Sequence, residues 1–202
     1  MTNYPVFRTG TFGNGVYVAA KKSAGLSWSD DGKTFNACTL NDGSEFNSGD
    51  IRVLKFLNGK FFGIDNASYG ANTVKIYVSS DGKTWKITKE IPGISRAFFE
   101  NTIKYGLIYD GKRYLITGED VSFSFSFSSD TYPCDKTYAF LFASEDGETW
   151  TPINLTYTAK DIYDIPFASN LAKFGNGYIA VNERHETFPE KKYIYFELTD
   201  SN

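Results

Sequence analysis

The 202-residue sequence has one histidine, two cysteines and one methionine. A nucleophilic triad would have His185, in "NERHETF", as its sole imidazole base, and no nucleophile-elbow motif accompanies it. His185 therefore reads as a surface polar residue. Cys38 and Cys134 have no metal-ligand spacing and fall in different parts of the chain, so they read as free thiols. Without a disulfide framework, stability has to come from packed secondary structure. The net charge is −3 and no block of basic residues occurs, which excludes a nucleic-acid footprint. No apolar run is long enough to span a bilayer as a helix, and the opening "MTNYPVFRTG" lacks the charged start and greasy core of a secretory signal. The expectation is cytoplasmic synthesis without membrane insertion. None of these features calls for a cofactor or a metal.

What the chain does have is a short motif written three times: "SDDGKTF" at Ser29 to Phe35, "SSDGKTW" at Ser79 to Trp85 and "SEDGETW" at Ser144 to Trp150. An Asp-Gly pair between extended, aromatic-rich runs is a hairpin signal. Gly takes positive φ without a Cβ penalty, and Asp accepts hydrogen bonds from the amides of its own turn. The carboxylates of Asp31, Asp81 and Asp146 are therefore expected to be engaged inside their turns, with Ser29, Ser79 and Ser144 adding a second side-chain bond and Gly32, Gly82 and Gly147 making the bend. Phe35, Trp85 and Trp150 start the return strands with a large surface to bury. The position after the Gly changes sign, Lys33 and Lys83 against Glu148, which argues against a shared charged ligand. Calcium would need six to eight oxygens, and no spaced acidic ligands follow.

A second marker precedes each of these turns: Asn14-Gly15, Asn58-Gly59 and Asp110-Gly111, with Asn176-Gly177 near the end of the chain. Each has apolar or aromatic residues on both sides, which is another hairpin signal. A unit therefore reads as strand, Asn-Gly turn, strand, loop, strand, Asp-Gly turn, strand. The expected fold is all-β: one domain over 1–202, a four-unit β-propeller-like array of antiparallel four-stranded sheets. Its units are about 4–40, 50–88, 102–155 and 170–202, and the last is incomplete.

The three Asp-Gly motifs resemble the Asp-box, or bacterial neuraminidase repeat, Ser/Thr-x-Asp-x-Gly-x-Thr-Trp/Phe, with one residue fewer between Asp and Gly here. The resemblance implies a propeller in which the box marks the turn between the third and outermost strands, away from the usual ligand face. It covers nearly the whole chain through the repeats and is specific for fold rather than function. Sialidases, other glycosidases, lectins, assembly factors and phage tail proteins all carry the box.

Sialidases clamp their substrate with three arginines and carry Tyr/Phe-Arg-Ile-Pro before the first box. This chain offers "VFRTG" with Arg8 but no Ile-Pro, and it has five arginines and four units rather than six blades. Other glycosidases need two carboxylates at the right separation, and Asp65, Glu119, Asp120, Asp161, Asp164, Glu183 and Glu186 are the loop candidates. From the first turn to the box the spacing grows from 14 residues (15 to 29) to 20 (59 to 79) and 33 (111 to 144). The growth lies in the loop between second and third strands. In the third unit that loop includes Phe123, Phe125 and Phe127 alternating with serines, the period of a strand, read as an extended hairpin packed on a neighbour, with a protruding ligand-binding finger as the alternative.

In a propeller these loops and the connectors between units share one face. The candidate ligand-binding residues there are Tyr69, Arg96, Glu119, Tyr132, Tyr163, Arg184 and His185, with no catalytic set among them. Their mix of rings, amides and charges suits sugar stacking or a protein interface. The expectation is a non-catalytic binding or structural module, most like a virion component such as a tail or receptor-binding protein. The alternatives are a glycoside-processing enzyme of sialidase-like fold and a host assembly factor. Counting 22 residues from Gly177 places a fourth box at Thr199, so unit four is expected to lack its outer strand. The edge from Tyr193 to Leu198 would then be covered by another protein subunit.

Overall fold

The computed structural model describes residues 7–21, 25–47, 51–65, 73–92, 106–119, 139–153, 170–181 and 193–198. The described residues form strands and turns throughout, with no helix. In chain order the strands are β1 (Phe7–Gly13), β2 (Val16–Lys21), β3 (Leu26–Ser29), β4 (Asn36–Ala37), β5 (Thr39–Leu40), β6 (Ile51–Leu57), β7 (Lys60–Asp65), β8 (Thr73–Ser79) and β9 (Thr84–Pro92). They continue as β10 (Gly106–Tyr109), β11 (Tyr114–Glu119), β12 (Ala139–Ser144), β13 (Thr151–Ile153), β14 (Asn170–Phe174), β15 (Gly177–Val181) and β16 (Tyr193–Phe196).

The described residues form four up-and-down sheets that follow one another along the chain, in the orders β1-β2-β3-β4, β5-β9-β8-β7-β6, β10-β11-β12-β13 and β14-β15-β16. The protein is thus all-β and propeller-like, and its last sheet has three strands among the described residues. Among the described residues the one departure from the antiparallel plan is β5, which runs parallel to β9 and pairs Thr39 with Thr84 and Leu40 with Trp85. By its contacts the chain divides into two compact units, Met1–Arg96 with Asp146–Trp150, and Ala97–Glu145 with Thr151–Asn202.

In the first unit, the sheet β1–β4 packs its Val16, Val18, Ala20 and Leu26 side against Ile51, Leu54, Phe61, Tyr77 and Trp85 of the next sheet. Alternation along the strands dictates this: Val16, Val18 and Ala20 point one way from β2, while Tyr17 points the other and is 43% exposed. Gly13 belongs to the buried side, and a Cβ there would lie 2.2 Å from the Phe56 ring, so only glycine lets the two sheets approach. Phe46, from the connector after β5, is fully buried and meets the rings of Tyr77 at 4.7 Å and Trp85 at 5.9 Å. In the second unit, Leu115 and Leu141 pack with Leu171 and Tyr178 of the following sheet, joined by the half-buried Ile108, Ala143, Ile153 and Leu198.

Cross-strand register aligns the four sheets residue by residue. Tyr17, Phe61, Tyr114 and Tyr178 hold one equivalent position on the second strands, facing Ser29, Ser79, Ser144 and Phe196 on the third. Two spacing expectations shift as a result. The last first-hairpin turn is Gly175-Asn176 rather than Asn176-Gly177, since Phe174 pairs with Gly177. Its first residue alone has positive φ (57°), the II′ pattern, whereas Asn14 and Gly15 are both positive (48° and 77°), the I′ pattern. The position that opens a box in the other sheets is taken by Phe196, not Thr199.

Candidate functional site

Each sheet has two ends of different character. At one end lie the hairpin turns, two in each of the first three sheets and, among the described residues, one in the last. In the first motif, Asp31 Oδ1 accepts the amides of Lys33 (2.7 Å) and Thr34 (2.8 Å) and the Ser29 hydroxyl (2.9 Å), while the Gly32 amide donates to Ser29 Oγ at 2.9 Å. The second motif repeats the set: Lys83 and Thr84 amides at 2.8 Å each, the Ser79 hydroxyl at 2.9 Å, and Gly82 N to Ser79 Oγ at 2.8 Å. Asp146 accepts the Glu148 and Thr149 amides at 2.7 Å each. Gly32, Gly82 and Gly147 carry φ of 70°, 73° and 76°. These amide and hydroxyl donors hold the Asp31 carboxyl at about 2, well below its ordinary 3.8. At Asp81 burial works the other way, but the Thr84 and Lys83 amides and the Ser79 hydroxyl outweigh it and the pKa is lowered.

Asp110 forms the same kind of turn without the box sequence, taking the amides of Lys112 (2.8 Å) and Arg113 (2.7 Å). It also accepts the Tyr178 hydroxyl, and its carbonyl accepts Lys173 Nζ at 2.9 Å. Burial, helped by this bond, pushes Tyr178 up to about 12.

The turn end is also where neighbouring sheets are tied by polar contacts. Asn14 Nδ2 donates to the carbonyls of Gly59 (3.1 Å) and Ser80 (3.0 Å). The position after the turn Gly, whose charge varies along the sequence, is one of these ties. The Lys83 ammonium sits over the Trp28 ring, 4.0 Å from its centroid. Glu148, in the segment that belongs to the first unit, takes Lys60 at 3.2 Å and also Lys86. The Lys86 bond, against a little burial, and then Lys60 lower the pKa of Glu148.

At the opposite end the second strands stop and the third begin, at Asp65 and Thr73, Glu119 and Ala139, and Val181 and Tyr193. Here Asp65 is 7% exposed, accepting the Lys75 amide at 2.6 Å and the Tyr77 hydroxyl at 3.0 Å. This glycosidase candidate thus closes the end of its own hairpin. Tyr69, Arg96, Tyr132, Tyr163, Arg184 and His185 lie outside the described residues, as do Asp120, Asp161, Asp164, Glu183, Glu186, Cys134 and the Phe123–Phe127 run. Glu119 ends β11, where its backbone pairs with Ala139. Among the described residues no cluster of His, Cys, Asp or Glu could hold a metal ion, and no helix is long and apolar enough to cross a membrane.

Sequence reasoning missed two described features. Phe46 lies in a connector assigned to the ligand face, yet it fills the core; its signal was a lone ring between polar residues. The Lys83–Trp28 contact had no local signal, because its partners are 55 residues apart.

No family model and no curated protein sequence matches the chain. Among solved structures it is similar to the computationally designed Ika4 protein, with TM-score 0.49 and 10% identity over 96% of this chain and 92% of that one. It is also similar to the designed Ika8 protein, with TM-score 0.43 and 10% identity over 85% of this chain and 41% of that one. A third is YCF48 from Cyanidioschyzon merolae, with TM-score 0.42 and 14% identity over 94% and 58% of the respective chains. At these values none of the likenesses bears on activity, and the fold described above rests on strand order and register.

Proposed function

We propose that the chain is a non-catalytic binding or structural module of Asp-box type, serving in a virion as a tail or receptor-binding component that contacts glycan or protein. The supporting observation is the division between the two ends of each sheet. Asp31, Asp81 and Asp146 each accept two amides of their own turn at 2.7–2.8 Å, and Ser29 and Ser79 bond into the first two turns. They are scaffold, and what varies between units is the segment joining second and third strands at the other end. Those segments and the connectors contain Tyr69, Arg96, Tyr132, Tyr163, Arg184 and His185, with Glu119 at the end of β11. Rings that stack and amides or charges that hydrogen-bond are what a sugar or a protein surface requires. A further subunit would pair with the edge from Tyr193 to Leu198.

The test is a glycan-binding panel run beside chromogenic glycosides with the intact chain. The expected result is binding without turnover, weakened at least about tenfold by Tyr132→Ala or Arg184→Ala with Tm unchanged. Turnover abolished by amidating one loop carboxylate, such as Glu183→Gln, would overturn the reading in favour of a glycosidase. Capsid and tail genes beside its own gene support the virion reading, and a neighbourhood without them counts against it.

A further inference from the structure

The sheets are equivalent by register, and the interface made between successive sheets inside each unit has its two faces represented among exposed rings of the first sheet and of the last. Three sheets carry an aromatic pair beside the first turn: Phe12 and Tyr17 at 4.5 Å, Phe56 and Phe61 at 4.7 Å, Tyr109 and Tyr114 at 4.8 Å. Phe61 and Tyr114 are buried to 1% exposure or less, and the equivalent Tyr178 is 4% exposed. Phe61 is covered by the Val16 and Val18 side of the preceding sheet, and Tyr178 reaches Asp110 of its own preceding sheet. Phe12 and Tyr17, on the corresponding side of the first sheet, are 55% and 43% exposed.

The complementary side of the last sheet is exposed at two rings, while Ile179 between them is half-buried. By register Phe174 stands where Gly13 stands, Ile179 where Val18 stands, and Tyr195 where Trp28 stands. Phe174 is 63% and Tyr195 46% exposed. The described residues expose five large hydrophobics, and four of them are these two pairs. Exposure concentrated in this way on two sheet faces of matching type, with Ile87 alone elsewhere among the described residues, marks an interaction surface.

We infer that these two faces bind each other between two copies of this chain, the first sheet of one copy seated on the last sheet of the other. The interface already built between β1–β4 and the sheet that follows it is the template for this contact. There, Gly82 lies against Val18, so that a Cβ would come within 2.9 Å of it, and Lys83 covers Trp28. The first sheet presents the same two groups, Gly32 and the exposed Lys33. Seated in the same way on the last sheet, Gly32 meets Ile179 and Lys33 covers Tyr195. The Tyr195 hydroxyl already donates to Glu197 Oε1 at 2.6 Å, so a carboxylate waits beside the ring where the ammonium arrives. Glu148 and its two lysines show an ion pair at this same position elsewhere in the chain. The contact is head to tail, and such contacts close into rings only when the geometry returns on itself. Two copies of four sheets make eight, within the roughly four to eight blades such rings hold.

The inference concerns the sheet faces and does not depend on what the loops bind. The experiment is sedimentation velocity on the intact chain and its variants, with thermal unfolding as the check on folding. The expected result is a dimer at about 10 μM, a concentration at which specific interfaces of ordinary size assemble. Lys33→Glu and Glu197→Lys should each weaken it at least about tenfold without changing Tm, and the double reversal should restore it. Tyr17→Ser should abolish it. A monomer up to about 200 μM, which places any affinity outside that of a specific interface, overturns the inference. A dimer indifferent to both charge reversals overturns it as well. A dimer broken only by proline at Tyr193 would move the contact to the strand edge and overturn the face.

Discussion

The ammonium of Lys83 rests 4.0 Å above the ring of Trp28, one sheet back along the chain. The contact turns a position that looked like a freely variable turn residue into a joint between sheets. Replacing Lys83 by Met keeps the aliphatic stem and removes the charge, and it should cost about 0.5–1 kcal/mol. Lys83→Arg, with a cation that also stacks, should cost less. Urea unfolding of the three proteins checks the order, and equal stability of all three would show that the ring contributes only packing.

Glycines at the same φ should differ sharply in tolerance. Gly15 (φ 77°) has nothing within 4 Å of a would-be Cβ, so Gly15→Ala should cost only the left-handed strain of about 1–2 kcal/mol. Gly25 (φ 70°) would place its Cβ 1.7 Å from the Phe46 carbonyl oxygen. Gly25→Ala should therefore add at least the ~1–3 kcal/mol of an overpacked core to the same strain. Thermal unfolding of the two variants separates strain from collision.

Acid should loosen the turns. Asp31 titrates at about 2 in the fold against an ordinary 3.8, and Asp81, Asp110 and Glu148 are lowered as well. A carboxylate with a depressed folded pKa stabilises fully above its unfolded pKa, and that contribution is lost as pH falls through the folded one. Stability should thus be flat from neutral pH to about 5 and fall between about 4 and 2. Asp31→Asn keeps an acceptor but does not titrate, so its melting temperature should drop less steeply over that window. Carboxyl carbon shifts should place the Asp31 midpoint near 2.

Cys38 should be silent to thiol reagents in the native protein. It is fully buried, burial pushes its pKa up to about 12, and its thiol donates to the Gly82 carbonyl at 3.4 Å. Iodoacetamide at pH 8 should leave the Cys38 peptide unmodified by mass spectrometry until denaturant is added. Rapid native labelling would contradict the packing between the first two sheets.

The order of the strands could be read along the sequence because every turn writes its chemistry locally. Asp31, Asp81 and Asp146 bond to amides two and three residues on, and Asn14-Gly15 bends within two residues. What could not be read depends on pairing at a distance. "FGNG" occurs at both 12–15 and 174–177, yet the strands around it settle one residue apart, because register is fixed by which side chains find the core and not by the turn alone. The same limit hid Phe46, whose burial depends on Tyr77 and Trp85 far along the chain. For the ligand face, composition named the residues, but the arrangement of long loops has no local code.

The parallel run of β5 beside β9 bears on how such a chain could have been assembled from copies. Thr39 N bonds to Lys83 O at 3.0 Å and Asn41 N to Trp85 O at 2.9 Å, so the tail of the first repeat is stitched to the outer edge of the second. A second repeat exchanged at residues 38–50 would have to supply the same outer edge and rings at the positions of Tyr77 and Trp85 to hold Phe46. The stitch and the rings around Phe46 thus make Phe7 through Pro92 a packed doublet of repeats rather than two independent ones.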